Sequence, residues 1–244
     1  MLSKAKVKYI QTLGQKKYRD NDRVFIAEGP KIVAELLAAI PAAVLQVYAL
    51  KEWIDDNRNA LVNKENYEIS EAELERISQL TTPNKVLAIV KMFDAGAIIG
   101  VKGKITLVLD AIRDPGNMGT IIRNADWFGV ELIICSHDCA DVYNPKVVQA
   151  TMGSIARVKL FYTDVKEWLG RQKDISVYAA AMEGKDITTL KKLQEGIILI
   201  GSESRGIQPG IMELANVKIT IPKKGKADSL NAAVATGIIL SHVC

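Results

Sequence analysis

Two glycine-containing segments near the end of the chain carry residue types suited to ligand binding. Residues 201–206 follow an apolar run at 197–200 and place Glu203 between two serines, with a glycine at each end. Residues 223–231 follow a second strand-like run at 217–222 and contain Gly225, and their last three residues, Ser229, Leu230 and Asn231, open a helix rich in alanine and isoleucine. Because the strands of an open α/β sheet deliver such loops to one edge, we expect a ligand pocket there. Asp228 or Ser229 is predicted to cap the last helix.

A third polar segment begins the first helix of the same predicted domain. Asn117 is placed to cap a helix over residues 117–128, and Arg123 and Asn124 follow about two turns later. Neither a G-x-G-x-x-G fingerprint nor a Walker pattern follows any predicted strand. The sequence pattern therefore excludes the ordinary dinucleotide-binding and P-loop sites.

Alternating strand and helix patterns must position these segments. From residue 105 onward, apolar runs of strand length alternate with helical patterns, which predicts a parallel sheet covered on both faces. The predicted strands lie at 105–109, 131–135, 157–161, 176–180, 197–200 and 217–221, and the predicted helices at 117–128, 145–152, 165–172, 188–193 and 229–244. This α/β domain is predicted to span residues 105–244.

The preceding residues predict a separate, smaller α/β domain over residues 1–94. Its predicted helices lie at 3–18, 29–40, 53–61 and 70–80, and its predicted strands at 24–27, 44–50 and 86–91. Ser70 and Glu73 form the pattern of a capping box at the start of the last of these helices. Residues 95–104, which contain three glycines, are predicted to be the linker.

Positive charge is modest overall but concentrated near the N-terminus. The 244 residues are 48% hydrophobic, which is ample for a packed core, and the formal net charge is +4. That balance alone indicates a polyanionic partner only weakly. The basic residues of the first segment are Lys4, Lys6, Lys8, Lys16, Lys17, Arg19 and Arg23. Either they contact nucleic-acid phosphates, or they form the solvated face of an amphipathic helix.

The cysteines bear on the cellular compartment and on metal binding. Cys135, Cys139 and Cys244 have no disulfide-framework spacing, which favours a reducing cytoplasm. No span is long and apolar enough for a membrane helix, and the N-terminus lacks the apolar core of a signal peptide, so no membrane partner is predicted. Cys135, His137 and Cys139 permit a zinc interpretation, with His242 and Cys244 completing the site. Small buried thiols and a surface histidine are favoured, and no metal is predicted.

Three ordered motifs run through the second predicted domain. They are Asn117-x-Gly119-x-x-x-Arg123, Gly201-x-Glu203-x-x-Gly206, and Ile221-Pro222 followed by Ser229-Leu230-Asn231. In this order and spacing they resemble the motifs of the SpoU/TrmH family of RNA ribose 2′-O-methyltransferases. Residues 81–88 and 141–146 extend the resemblance, and residues 1–94 resemble the family's small ribosomal-protein-like RNA-binding module. Each motif alone is weak, since its residues can also serve only as helix caps, turn formers or a surface cation.

The resemblance implies a fold, a reaction and an assembly. The fold is a parallel-sheet domain with a deep trefoil knot, a rare exception to unknotted topology. The reaction is methyl transfer from S-adenosylmethionine to a ribose 2′-hydroxyl in structured RNA, without a metal, by a homodimer whose active site lies at the subunit interface. The implied catalytic residues are Asn117, Arg123, Glu203, Ser229 and Asn231. The implied cofactor contacts are Gly201, Gly206, Ile221 and Leu230, with Ala180 and Ala181 at the entrance.

Two positions depart from the family pattern. Ser204 stands where glycine is usual, and a positive φ there would strain a serine by roughly 1 kcal/mol. Ala233 stands where a second small hydroxyl residue is usual. Ribosomal RNA is favoured as the substrate because of the N-terminal domain, and the alternatives are a tRNA methyltransferase and a non-catalytic RNA-binding protein. Arg123 is expected either to help deprotonate the hydroxyl or to stabilise the developing alkoxide.

Overall fold

The computed structural model describes residues 1–94, 96 and 100–244. Its helices, in chain order, are α1 Lys4–Thr12, α2 Lys16–Asp22, α3 Pro30–Ala39, α4 Lys51–Asp56, α5 Glu71–Ile77, α6 Pro115–Trp127, α7 Pro145–Thr151, α8 Val165–Gly170, α9 Pro209–Met212 and α10 Ala232–Val243. Its strands are β1 Val24–Glu28, β2 Val44–Ala49, β3 Glu65–Glu68, β4 Val86–Lys91, β5 Ile105–Asp110, β6 Leu132–Cys135, β7 Lys159–Tyr162, β8 Val177–Asp186, β9 Gly196–Gly201 and β10 Val217–Thr220. The described residues form two compact units.

The first unit contains residues 1–94 together with 141–156. Its sheet has the order β1-β4-β2-β3, with antiparallel pairing of β4 to both β1 and β2 and parallel pairing of β2 to β3. Val7 and Ile10 of α1, together with Leu13 at its C-terminal end, pack with residues of the sheet and of α5 in one core. The capping box of Ser70 and Glu73 at the start of α5 is confirmed.

Residues 141–156 follow residue 140 of the second unit, yet they pack within the first. Helix α7 lies against β1, and its side chains Val147 and Val148 are buried. The ring of Tyr143 lies 5.0 Å from that of Phe25 and 6.0 Å from that of Phe93. An ion pair of 2.6 Å joins Arg19 of α2 to Asp141. The first unit is therefore built from two separate stretches of chain.

The second unit is built on one parallel sheet. In the described part of the chain its order is β10-β8-β9-β5-β6-β7, and every neighbouring pair is parallel. All residues of β6 and nearly all of β5 and β9 are buried, as in sheets covered by helices. The predicted α/β fold with a parallel sheet is confirmed, while the trefoil knot stays a prediction.

The predicted domain limits of 1–94, 95–104 and 105–244 also stay a prediction. Part of the predicted linker, residues 95 and 97–99, lies outside the described residues. Within the described residues, no helix is long and apolar enough to cross a membrane.

Several predicted elements are wrong in detail. The helix predicted over 3–18 is interrupted between α1 and α2, where Gly14 disfavours helix and Arg19 Nη1 donates to the carbonyls of Leu13 and Gly14 at 3.1 and 2.8 Å. The helix predicted at 53–61 begins at Lys51 and ends at Asp56.

Two further elements differ from those predicted by the local sequence pattern. A 3-10 turn at Ile187–Thr189 replaces the helix predicted over 188–193, because β8 continues to Asp186. Strand β3 was not predicted, because it is a largely exposed edge strand whose sequence, Glu-Asn-Tyr-Glu, lacks apolar alternation.

Candidate functional site

The motif segments meet at the carboxyl end of the parallel sheet. Strands β5, β9 and β10 end at Asp110, Gly201 and Thr220, and each is followed by one motif segment. Strands β5 and β9 are neighbours, with Asp110 opposite Gly201 in register. Strand register alone therefore places the first motif beside the second.

Glu203 joins all three motif segments through one carboxylate oxygen. Its Oε1 accepts hydrogen bonds from Asn117 Nδ2 at 2.9 Å, Asn231 Nδ2 at 2.6 Å and the Ala232 backbone N–H at 3.1 Å. Asn231 Nδ2 also donates to Asn117 Oδ1 at 2.7 Å. A carboxylate oxygen shared by three donors is a brace that fixes both amide side chains.

Asn117 is not the cap of α6, which corrects the prediction. The cap is Asp114, whose carboxylate accepts the backbone N–H of Asn117 at 2.8 Å. Asp114 is followed by Pro115, a residue favoured at the first position of a helix. Because Asn117 lies inside the first turn, its side chain points to Glu203 instead of satisfying its own helix.

The cap of α10 is Asn231, so the prediction of Asp228 or Ser229 is also wrong. Asn231 Oδ1 accepts two backbone N–H groups of the helix at 3.0 and 3.2 Å, while its amide nitrogen reaches Glu203. Ser229 lies two residues earlier, in exposed chain, and lines the larger cavity described below. Of the implied catalytic residues, the structure therefore brings Asn117, Glu203 and Asn231 into direct contact.

Arg123 lies apart from this cluster. It shares an exposed face of α6 with Thr120 and Trp127, and Trp127 is 83% exposed. Arg123 lines neither cavity beside Glu203, and in the described part of the chain it has no hydrogen bond or ion pair. Within one chain, the fold does not bring Arg123 together with the other implied catalytic residues.

An apolar cavity of about 540 Å³ opens beside Glu203. Its lining contains every residue implied as a cofactor contact, namely Ala180, Ala181, Gly201, Gly206, Ile221 and Leu230. Three isoleucines, Ile200, Ile219 and Ile239, add to its walls. Its volume and apolar walls are typical of small-molecule sites.

Gly201 shapes this cavity because the backbone approaches it closely. A Cβ on residue 201 would lie 2.2 Å from the carbonyl carbon of Gly206 and 2.3 Å from the nitrogen of Ile207. Ser202 and Gly206 exchange two backbone hydrogen bonds, which fold the loop back onto Gly201. Gly206 has a φ of +66°, whereas Ser204 is not among the residues with positive φ. The serine at position 204 therefore carries no φ strain.

The other departure from the family pattern, Ala233, is buried in the first turn of α10. Its N–H is one of the groups that Asn231 caps, and its carbonyl accepts Asn124 Nδ2 at 2.9 Å. Both interactions use the backbone of Ala233. The alanine therefore leaves the cap and the contact between α6 and α10 intact.

Strand β8 contributes a bulge that the sequence did not indicate. As β10 advances by one residue beyond Lys218, the paired residue on β8 changes from Ala179 to Lys185. Residues 180–184 thus lie outside the ladder, and the first three of them line the apolar cavity. A Cβ on Gly184 would lie 2.6 Å from the backbone of Lys218, so the chain returns across the neighbouring strand at close range.

A second, polar cavity of about 400 Å³ adjoins the first. The two cavities share Ser202, Glu203, Arg205, Gly206 and Ala232. Its wall also carries Arg113, which forms an ion pair of 2.7 Å with Asp138. Hydrogen bonds from Ser136 and Arg113 lower the pKa of Asp138, so this pair is charged at neutral pH. A polar cavity beside an apolar one can hold a hydrophilic ligand next to a less polar one.

Asp110 positions the second motif and was missed by sequence reasoning. Its carboxylate is 1% exposed and accepts the Gln208 backbone N–H at 2.6 Å and Gln208 Nε2 at 2.7 Å. It thereby ties the end of β5 to the loop that carries Glu203. The available signal was an acidic residue directly after the apolar run Leu107-Val108-Leu109.

Replacing Asp110 with asparagine is expected to lower the free energy of unfolding by about 1–3 kcal/mol. One carboxylate oxygen becomes an NH₂ group, which cannot accept, so one of the two N–H donors of Gln208 loses its partner. Urea denaturation measures this change. Asp94→Asn is the matched control, since Asp94 is largely exposed and its substitution should change stability by about 0.5 kcal/mol or less. Equal effects of the two substitutions would contradict a clamping role for Asp110.

The basic N-terminal segment divides into free and engaged cations. Lys4, Lys8 and Lys17 are exposed and have no ion pair in the described part of the chain. Lys6 is half-buried and donates to Gln46, while Lys16 pairs with Asp20 and Arg23 with Asp94. Arg19 is 1% exposed and held by Asp141, so its prediction as an RNA contact is wrong.

The thiols near the polar cavity are buried. Cys135 and Cys139 are free, His137 is exposed, and Cys139 Sγ accepts the backbone N–H of Ile112 at 3.3 Å. A hydrogen bond from the Cys135 thiol lowers the pKa of Cys139 to about 7, while burial raises the pKa of Cys135. Among the described residues, no group of three His, Cys, Asp or Glu could hold a metal ion.

Two known protein families match successive parts of the chain. The chain matches the SpoU rRNA methylase family over residues 104–241 and the MRM3-like substrate-binding domain over residues 4–88. It is 27% identical over 241 residues to the Bacillus subtilis (strain 168) protein named 23S rRNA (guanosine(2553)-2′-O)-methyltransferase RlmP, covering 98% of this chain and 95% of the relative.

Two solved structures resemble this protein over nearly its whole length. A TrmH-family protein from Porphyromonas gingivalis has a TM-score of 0.86 at 35% identity, covering 99% of this chain and 98% of that one. An AdoMet-bound rRNA methyltransferase from Sinorhizobium meliloti has a TM-score of 0.85 at 30% identity, covering 99% and 95%. The SpoU match extends over more than half of the residues, with the Glu203 cluster inside it. The chain therefore belongs to the SpoU rRNA methylase family.

Proposed function

We propose that this protein transfers the methyl group of S-adenosylmethionine to a ribose 2′-hydroxyl of structured RNA, with ribosomal RNA as the favoured substrate. The observation that carries the proposal is the joining of three motif segments at Glu203, between an apolar and a polar cavity. The name of the relative RlmP and the match of the first domain to a substrate-binding domain support ribosomal RNA.

The apolar cavity fits S-adenosylmethionine by the chemistry of its walls. Isoleucine, leucine and alanine side chains suit a purine face, and loop backbone at 201–206 and 221–225 can meet polar atoms. Gly201 lets that loop fold tightly without a side chain entering the space. When bound, S-adenosylmethionine supplies a methyl group already activated by its sulfonium charge, so the proposed reaction requires no metal ion.

The chain's own residues have to align the acceptor and help to remove its proton. Asn117 and Asn231, both held by Glu203, are proposed to orient the ribose hydroxyl, and Ser229 does so from the cavity wall. Glu203 itself serves as the brace, because the oxygen that faces the cluster is already engaged by three donors. These roles require rigid side chains, which the hydrogen-bond cluster supplies.

Arg123 is proposed to act on the acceptor from a second copy of the chain. A guanidinium is protonated at neutral pH, so Arg123 is better suited to stabilise a developing alkoxide or a neighbouring phosphate than to accept a proton. In its own chain it lines neither cavity. It lies one turn from the exposed Trp127, an unusual surface residue that supports a homodimer contact on this face.

Two alternatives predict different outcomes in simple experiments. A tRNA methyltransferase would modify purified tRNA, and a non-catalytic RNA-binding protein would bind RNA without binding S-adenosylmethionine. Calorimetric titration of the purified protein with S-adenosylmethionine, followed by mapping of 2′-O-methyl sites in total RNA with and without the protein, separates the three. Absence of cofactor binding would overturn the proposal.

The free N-terminal lysines are proposed to supply RNA affinity. Replacing Lys4, Lys8 and Lys17 with alanine should reduce the dependence of log affinity on log salt by roughly two units, since each phosphate contact contributes about 0.7–0.9. Cofactor affinity should stay unchanged. Filter binding at several salt concentrations measures the slope.

The control for this experiment replaces Lys31, Lys51 and Lys91, which are exposed residues of the same unit. An equal loss of RNA affinity in both triple variants would mean that overall charge, not this segment, determines binding. Deleting residues 1–94 is a poorer test, because it would expose the buried face of α7.

The cellular compartment is also a proposal. The three cysteines are free thiols, which supports a reducing cytoplasm.

A further inference from the structure

The chain between β10 and α10 is exposed and carries three lysines beside the apolar cavity. All residues from 222 to 231 are exposed, and the lysines are Lys223, Lys224 and Lys226. Lys223 and Lys224 line the apolar cavity together with Ser229 and Leu230. We call residues 223–226 the lysine loop.

The charges of the lysine loop are not neutralised by the protein. In the described part of the chain, none of its three lysines has an ion pair or hydrogen bond. Glu203, the carboxylate shared by both cavities, is already engaged by Asn117, Asn231 and Ala232. Asp228 is the one acidic residue between Lys223 and Asn231. The loop therefore presents a net positive charge at the cavity entrance.

Two anionic groups could meet these lysines if the proposed function holds. One is the single carboxylate of S-adenosylmethionine, and the other is the phosphate backbone of the RNA. A single carboxylate inside the cavity requires one cation, whereas three lysines spread along four residues of exposed chain match successive phosphates. Arg205, which lines both cavities, continues the positive surface from the lysine loop to the polar cavity.

We propose that the lysine loop binds the RNA backbone next to the ribose that is methylated. This inference rests on the proposed function and assigns to the second unit an RNA contact of its own, separate from the N-terminal lysines. The loop also lines the cofactor cavity. RNA phosphates bound to its lysines would therefore lie close to the methyl donor. The lysines thereby place the acceptor strand and do not take part in the chemical step.

The test compares two triple variants of equal charge in the full-length protein. Lys223, Lys224 and Lys226 are replaced with alanine in one, and Lys102, Lys173 and Lys191, exposed residues that line neither cavity, in the other. RNA affinity is measured at several salt concentrations, S-adenosylmethionine affinity by calorimetry, and methylation as a function of RNA concentration.

In the lysine-loop variant, the salt dependence of RNA binding should fall by roughly two units, since each lost phosphate contact removes about 0.7–0.9. The KM for RNA should rise at least tenfold, while kcat and cofactor affinity stay within about twofold and the control variant behaves like wild type. An unchanged salt slope would overturn the inference. So would loss of cofactor affinity without loss of RNA affinity, because the lysines would then contact the cofactor carboxylate. Failure of the wild-type protein to bind S-adenosylmethionine or to methylate RNA would instead reject the proposed function.

Discussion

Replacing Arg123 with alanine is expected to reduce methylation by roughly 10²–10³-fold or more, the loss seen when a donor that stabilises developing charge is removed. Affinity for S-adenosylmethionine should stay within about twofold, because Arg123 does not line the apolar cavity. Single-turnover methylation with saturating RNA measures the first quantity and calorimetry the second. A wild-type rate would remove Arg123 from the mechanism.

Arg123→Lys distinguishes how the arginine acts. Lysine keeps a positive charge but loses the planar fork that binds a phosphate through two hydrogen bonds. Partial activity in this variant would mean that charge stabilisation dominates. Activity as low as that of the alanine variant would mean that the guanidinium geometry is essential.

Mixed dimers test whether Arg123 acts across a subunit interface. If it does, co-expressing Arg123→Ala with a variant that cannot bind cofactor should restore about a quarter of wild-type activity, since half of the dimers are mixed and each holds one intact site. If Arg123 acts within its own chain, the mixture should be as inactive as its two components. Size-exclusion chromatography with light scattering supplies the control that the variants are dimers.

Replacing Gly201 with valine is expected to abolish cofactor binding, with a loss of affinity of at least a hundredfold. The reason is the close approach of the loop backbone and not the size of the new side chain. The new Cβ would meet the backbone of Gly206 and Ile207 at 2.2 to 2.4 Å, so the loop itself must move and the walls of the cavity with it. Even alanine at position 201 should therefore weaken binding strongly, although its side chain is too small to fill the cavity.

Calorimetric titration of Gly201→Ala and Gly201→Val measures this loss, and circular dichroism checks that both variants are folded. Gly170→Val is the matched control, because a Cβ at Gly170 meets no atom within 4 Å. Retention of wild-type cofactor affinity in Gly201→Ala would show that the loop geometry does not determine the cofactor site.

The motif residues were predictable because their types and order are specific. Asn117, Glu203 and Asn231 were named from the sequence, and the structure joins them although 86 and 114 residues separate Asn117 from its two partners. The parallel sheet followed from the regular alternation of strands and helices. What the sequence could not supply was the geometry of the contact, since strand register and caps decide which atoms meet.

The features that the sequence did not predict depend on the same kind of long-range contact. In the sequence, Arg19 is one of several cations in a basic segment. In the structure, its guanidinium is buried against Asp141, 122 residues away. Asp110 reads as the end of a strand, and its role becomes visible only when β5 and β9 are neighbours. The bulge at 180–184 leaves no periodic signal, because it is produced by the pairing of β8 with β10.

The packing of α7 against β1 constrains how this protein can be recombined with its relatives. A chimera that exchanges residues 1–94 at the linker would keep α7 from one parent and receive β1 from the other. Val147, Val148 and Tyr143 would then face a foreign strand, and an unmatched pair would leave a gap or an overlap in a core. A working crossover has to move 141–156 together with 1–94, so the substrate-binding domain is exchangeable only as two coordinated pieces of sequence.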